Sequence, residues 1–193
     1  MQHSNPKDIA VLEDGFDAVE KDAHALVSGL SETLGTWRLN STSWSVAQCL
    51  DHLAVANRVY LRAMQPVAQR ALREGSTRRG PAQPGVIGSW FIRSLEPPVK
   101  SRRRGKAPES IRPRRAPSLG DATAQFLASQ DEVRAFLRRY AHIDLAGVRF
   151  PNPFIRGVRF SVATGLHVIA AHERRHLWQA WRVRQAAERA VAA

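Results

Sequence analysis

A chain of 193 residues, 44% hydrophobic and 24% charged, carries enough apolar material for one core of ordinary size, which excludes an intrinsically disordered chain. No run approaches the roughly 18 consecutive apolar residues of a membrane helix, and a single cysteine, Cys49, excludes an internal disulfide framework. The net charge is +12, but +10 of it falls between Arg70 and Arg115. The excess sits in one segment and not along a recognition helix, so nucleic acid is not the expected partner. The N-terminal stretch is acidic and amphipathic and lacks the apolar core of a secretory signal, so a cytoplasmic location without membrane contact is expected.

The first helix is predicted from about Lys7 to Leu34, with Ile9, Leu12, Phe16, Val19, Ala23, Leu26 and Leu30 on one face. The stretch "GTWRLNSTSW" breaks it. The second begins at Ser45, with Gln48 at capping-box spacing, and continues to about Glu74. Residues 75–117 hold seven of the eleven prolines and five of the twelve glycines, the composition of a long connection. Within it, "VIGSWFIRSLEPP" is expected as a helical turn or an extended strip, resting on the helices through Trp90, Phe91 and Leu95. The third helix opens at Ser118 and runs to about Tyr140, its stripe of Ala122, Phe126, Val133, Phe136 and Tyr140 broken by Ser129. A loop over 143–160 leads to a last helix from about Ser161 to Ala190. No strand of alternating pattern is expected. Four long amphipathic helices in 193 residues imply an all-α four-helix bundle, one domain over 1–193 with a basic connection between helices two and three.

The last helix contains "HERRHLWQ", a literal H-E-x-x-H over His172–His176. In a metalloprotease that spacing puts two imidazoles on one helix face, with the Glu as general base. The longer protease pattern fails here: Gln179 stands where a Gly would follow, and Arg182 where a third His would. The histidines themselves still need an explanation. His172 and His176 lie about 40° apart around the helix, on a stripe with Ile169, Gln179 and Val183. Imidazoles interrupting an apolar stripe need partners, and a shared cation supplies one. His52 interrupts the apolar stripe of the second helix in the same way, among Cys49, Ala56, Val59 and Ala63. Inward histidines from two helices are a standard way to build a metal site.

The paired segments "WSVAQCLDHL" and "HERRHLWQ" resemble those of the DinB-like superfamily, metal-binding four-helix bundles of bacteria, and "RSLEPP" and "KAPESIRP" look like the linker of one branch of it. The resemblance implies His52, His172 and His176 as ligands of one divalent transition metal, zinc, nickel or iron. Gln179 is expected to support a ligand, Cys49 to be a buried core thiol, and Glu173 to face solvent. His167 is expected outside the site, and His3, His24 and His142 have no supporting context. Trp44 is expected to pack at the start of the second helix, and Trp178 and Trp181 at helix interfaces.

Three neutral His ligands leave coordination positions open. Characterised members of the superfamily include thiol-dependent transferases and an isomerase using a low-molecular-weight thiol. The resemblance therefore implies a metal-dependent enzyme that activates such a thiol toward a small-molecule substrate. A hydrolase activating water is the alternative enzyme, and a non-catalytic, metal-stabilised module with a basic loop for an anionic partner is the alternative outside catalysis. Members often dimerise, so a homodimer is implied as well. The metal is expected near one end of the bundle, under the 143–160 loop and part of the basic connection, with connection arginines or Arg156 holding an acidic group of the thiol.

Overall fold

The computed structural model describes residues 6–98 and 107–192. Capping chemistry sets where its helices begin and end. Helix α1 (Lys7–Val27) buries the expected face, from Ile9 to Leu26, and stops where Gly29 takes φ +68°, a left-handed conformation that side chains resist. The single helix expected to Leu34 is therefore two. Ser31 accepts a hydrogen bond from the Leu34 backbone N–H and caps a short α2 (Glu32–Thr36). Helix α3 (Val46–Arg73) opens on both halves of the expected capping box. Ser45 Oγ accepts from the Gln48 N–H at 3.1 Å, and Gln48 Oε1 accepts from the Ser45 N–H at 3.2 Å.

The stretch 86–95 is a helix, α4 (Val86–Leu95), settling the choice between a helical turn and an extended strip. It lies close against the last helix because Gly88 has no side chain: a Cβ there would come within 2.7 Å of Thr164 Cγ2. Phe91 packs on Phe160 with the rings tilted and their centroids 5.4 Å apart, as part of the expected contact. Trp90 does not join it. It is 67% exposed, alongside exposed Val86 and Ile87, because α4 turns its other face inward. After a 3-10 turn at Glu109–Ile111, Ser118 Oγ accepts from the Asp121 N–H at 3.1 Å and starts α5 (Leu119–Tyr140).

Two strands that sequence periodicity did not reveal, β1 (Arg149–Pro151) and β2 (Arg159–Ser161), pair antiparallel with Phe150 opposite Phe160. Three residues are too few for an alternating pattern to be visible. Ser161 then accepts from the Thr164 N–H and begins α6 (Val162–Ala192).

The fold is all-α apart from that hairpin. Helix α3 packs on α5 and α6, and α1 packs on the same two. α3 and α6 run antiparallel: His52 meets His172, whereas Met64 meets Gly165 twelve residues further along α3. The apolar core divides into two clusters along this axis. One gathers Phe16, Tyr60, Met64, Phe136, Tyr140, Phe150 and Leu166; the other gathers Leu26, Leu50, Leu53, Phe126 and Leu177. Between them, on α3, α5 and α6, lies a buried polar layer of His52, Asn57, Ser129, Gln130 and Glu173. Among the described residues no helix is long and apolar enough to cross a membrane.

Candidate metal centre

The first two turns of α3 carry His52 and fasten the segment that orients it. Ser45 and Gln48 close the capping box, and Gln48 Nε2 also donates to the carbonyls of Arg114 and Arg115 at 3.3 and 3.1 Å. One turn on, buried Asp51 accepts from the Arg114 backbone N–H and from its Nε, both at 2.7 Å. These contacts fasten the returning end of the long connection across α3. As a result the Ile111 carbonyl lies 2.5 Å from His52 Nδ1. A carbonyl can only accept, so His52 carries its proton on Nδ1 and presents a lone pair at Nε2. That lone pair faces His172 Nε2 at 3.2 Å.

His176, one turn further along α6, completes the cluster. Ligand atoms of His52, His172 and His176 all lie within 4.8 Å of one another. Their rings are mutually inclined, with centroids 4.5–5.0 Å apart. Trp44 was expected simply to pack at the start of α3. It does so against the second core cluster, and it also covers the site, 4.7 Å from the His52 ring and 5.6 Å from the His176 ring.

Burial keeps all three imidazoles neutral. It lowers His52 and pushes His172 down to about 3, aided by the neighbouring His52 and Arg175. His176 is held well below its ordinary value for the same reasons. A cation bound by nitrogen requires this protonation state. The donor set fits a divalent transition metal: three neutral nitrogens converge, one with its tautomer fixed by a carbonyl, and His176 Nδ1 is buried with no hydrogen-bond partner.

Other expected residues fall elsewhere. Burial pushes the Cys49 thiol up to about 12, and it packs among Val46, Leu50 and Leu53, as an inert core residue should. His167 donates to the Ala82 carbonyl at 3.1 Å, away from the centre. Trp181 packs in the second cluster and donates to Asp22 at 2.9 Å. Gln179 sits against His176. His3 and the arginines Arg102, Arg103 and Arg104 of the basic connection lie outside the described residues.

Two expectations are overturned. Glu173 does not face solvent. It is fully buried, accepting at one carboxylate oxygen from Asn57 Nδ2 at 2.7 Å and from Gln130 Nε2. The wheel position of a charged residue had pointed outward, but amides from α3 and α5 meet it inside. Nor does the 143–160 loop roof the centre. Phe150 and Phe154 pack on Tyr60 at 6.2 and 5.4 Å, about 12 Å along α3 from His52 at 1.5 Å per residue. The cover is Trp44 and the segment around Ile111. Sequence reading missed Asn57, Gln130, Asp51 and Arg175. Asn57 and Gln130 left one usable trace, since the Ser129 break in the α5 stripe marks the level of the polar layer.

Helices that converge three neutral imidazoles beneath an aromatic cover define a class of protein: all-α, with a histidine cluster suited to one metal ion. The family profile described as the DinB superfamily matches residues 16–180, and the chain belongs to that superfamily. Searches of curated proteins and of solved structures returned no match.

Proposed function

We propose that this protein is a metal-dependent enzyme in which His52, His172 and His176 hold one divalent transition metal and a low-molecular-weight thiol is activated for transfer to a small electrophilic substrate. The four long helices, each packed on two others, are read as a four-helix bundle with the centre between α3 and α6. One observation carries the reading: three neutral histidines converge, and the lone pair of one is aimed inward by a backbone carbonyl. Such a donor set leaves positions open, the arrangement of catalytic rather than closed structural sites. When bound, the metal lowers the pKa of a thiol and makes it a nucleophile at neutral pH.

The chain's own residues perform the remaining tasks. Ile111 holds the His52 proton on Nδ1, so the ring keeps its Nε2 free. Trp44 shields two imidazoles and excludes water from their faces. Asp51 and Gln48 hold the covering segment in place.

The test has two stages. Metal content of the purified protein should reach one ion per chain and fall sharply in His52→Ala. Calorimetry should then show a small thiol binding to metal-loaded protein and not to that variant, with conjugation to an aryl halide dependent on metal. Turnover of esters or amides without thiol binding would replace transfer by hydrolysis. Full metal content with neither activity would leave a metal-stabilised binding module.

A further inference from the structure

Of the two arginines that α6 places between His172 and His176, one has no ion pair among the described residues. Arg174 and Arg175 are adjacent on α6, between the two metal-ligand candidates of that helix. Arg174 is neutralised: its Nε donates to Glu96 at 3.0 Å, and a second nitrogen also pairs with that carboxylate. Arg175 has no ion pair among the described residues. Its Nη1 makes only a long 3.5 Å approach to the Ser94 carbonyl at the end of α4.

Neighbouring carboxylates are committed elsewhere. Asp51 is turned onto Arg114, and Glu173 accepts from two amides in the interior. The three ligands are neutral, so nothing in the first ring of donors offsets a divalent cation. Arg175, on the helix between His172 and His176, then adds a further positive charge. Two positive centres in a partly desolvated site call for an anion between them.

We propose that the ligand of this centre is a small molecule bearing an oxyanion, a carboxylate or a phosphate, held by the Arg175 guanidinium while its reacting end meets the metal position. The proposal rests on the reading of the three histidines as metal ligands. Arginine suits the role because its planar fork matches two oxygens of such a group at once. One turn along α6 from His172 and about 60° around the helix from it, Arg175 flanks the ligand-bearing face, from which its long side chain can reach the edge of the same site. Ser94, at the end of α4, limits where the side chain can swing. The expected anchors, Arg156 and the connection arginines, are not needed.

The experiment uses the full chain loaded with cobalt(II), whose visible absorption reports changes in coordination. Acetate and methylphosphonate are titrated separately at constant ionic strength, and cobalt affinity is measured in parallel by chelator competition. At least one anion should shift the cobalt bands of the wild type, and the stronger of the two identifies the oxyanion. Arg175→Gln should weaken that binding by roughly tenfold to a hundredfold, the loss expected for a charge-assisted hydrogen-bonded pair. Its cobalt affinity should stay equal or tighten, because a nearby positive charge has gone. Arg175→Lys should recover only part of the loss, and Arg174→Gln, with its neutralised parent side chain, should bind the anion as the wild type does. Equal anion affinity in wild type and Arg175→Gln would overturn the proposal, as would cobalt bands that no anion shifts. Failure of the wild type to take up cobalt would instead remove the metal reading on which the proposal depends.

Discussion

Glu173 shows how much a single side chain can conceal. Its Oε1 accepts from two amides, while Oε2, Asn57 Oδ1 and Gln130 Oε1 are buried without partners. Burial raises this carboxyl to about 8, so at neutral pH it holds a proton and brings one donor to a layer of unpartnered acceptors. The pH dependence follows in sign. The unfolded group titrates near 4.5, so between 4.5 and about 8 the folded state holds more protons, and stability falls as pH rises through that window. The histidines act oppositely: their folded values are lowered, so stability falls as pH drops below their ordinary 6.5. Glu173→Gln supplies permanently the amide donor that the protonated acid offers. Metal-free Glu173→Gln should therefore be more stable than wild type at pH 8, by on the order of 1–3 kcal/mol, and lose that advantage near pH 5. Urea melts at the two pH values measure this, and an equal difference at both would refute the protonated-acid account. The three histidines were legible because imidazoles break an apolar stripe visibly. Glu173 was not, since its environment comes from Asn57 and Gln130, 116 and 43 residues away in sequence.

At the scale of elements, caps were legible and tertiary docking was not. Ser45, Ser118 and the start of α6 appear where local chemistry puts them, because a side-chain oxygen and a backbone N–H three residues on suffice. Gly29, which splits the first helix, was overridden in the sequence reading by a continuous apolar stripe. The docking of the basic connection depends on partners more than 60 residues apart, chiefly Asp51 and Arg114. It also has a consequence for the metal. Asp51→Ala should release the segment around Ile111 and free the His52 ring to change tautomer, so metal affinity should fall roughly tenfold to a hundredfold, as for other outer partners of ligating histidines. Hydrogen exchange at residues 107–117 should rise in the same variant. Unaltered exchange there with weakened metal binding would show that Asp51 acts by its charge and not by docking. Gly88→Ala tests the other docked element. The added Cβ meets Thr164, so α4 should lift from α6 and the Phe91–Phe160 contact should loosen, at a cost of about 1–3 kcal/mol for overpacking.

Across the whole molecule, the polar layer separates two apolar clusters, each of which draws residues from α1, α3, α5 and α6. Most of the folding free energy is expected from those clusters, since apolar burial is the dominant favourable term and the three imidazoles contribute little area. The fold should therefore survive without metal, unlike a zinc finger, whose core is too small to stand alone. Metal binding should still stabilise by mass action, by about 2.7 kcal/mol when free metal is a hundred times its dissociation constant. For a chain of this size that corresponds to a rise in Tm of about 5–10 °C. Chelation should accordingly lower the Tm by that amount while leaving the far-ultraviolet helical signal at 25 °C unchanged. The variant with His52, His172 and His176 all replaced by Ala should match the chelated wild type in helical signal and show no response to added metal. It should not be markedly less stable than chelated protein, because removing three half-satisfied imidazoles also removes the desolvation that lowers their pKa values. Calorimetric scans of the two proteins with and without chelator provide the comparison. Loss of helical signal on chelation would mean that the metal, and not the paired apolar clusters, holds the four long helices together.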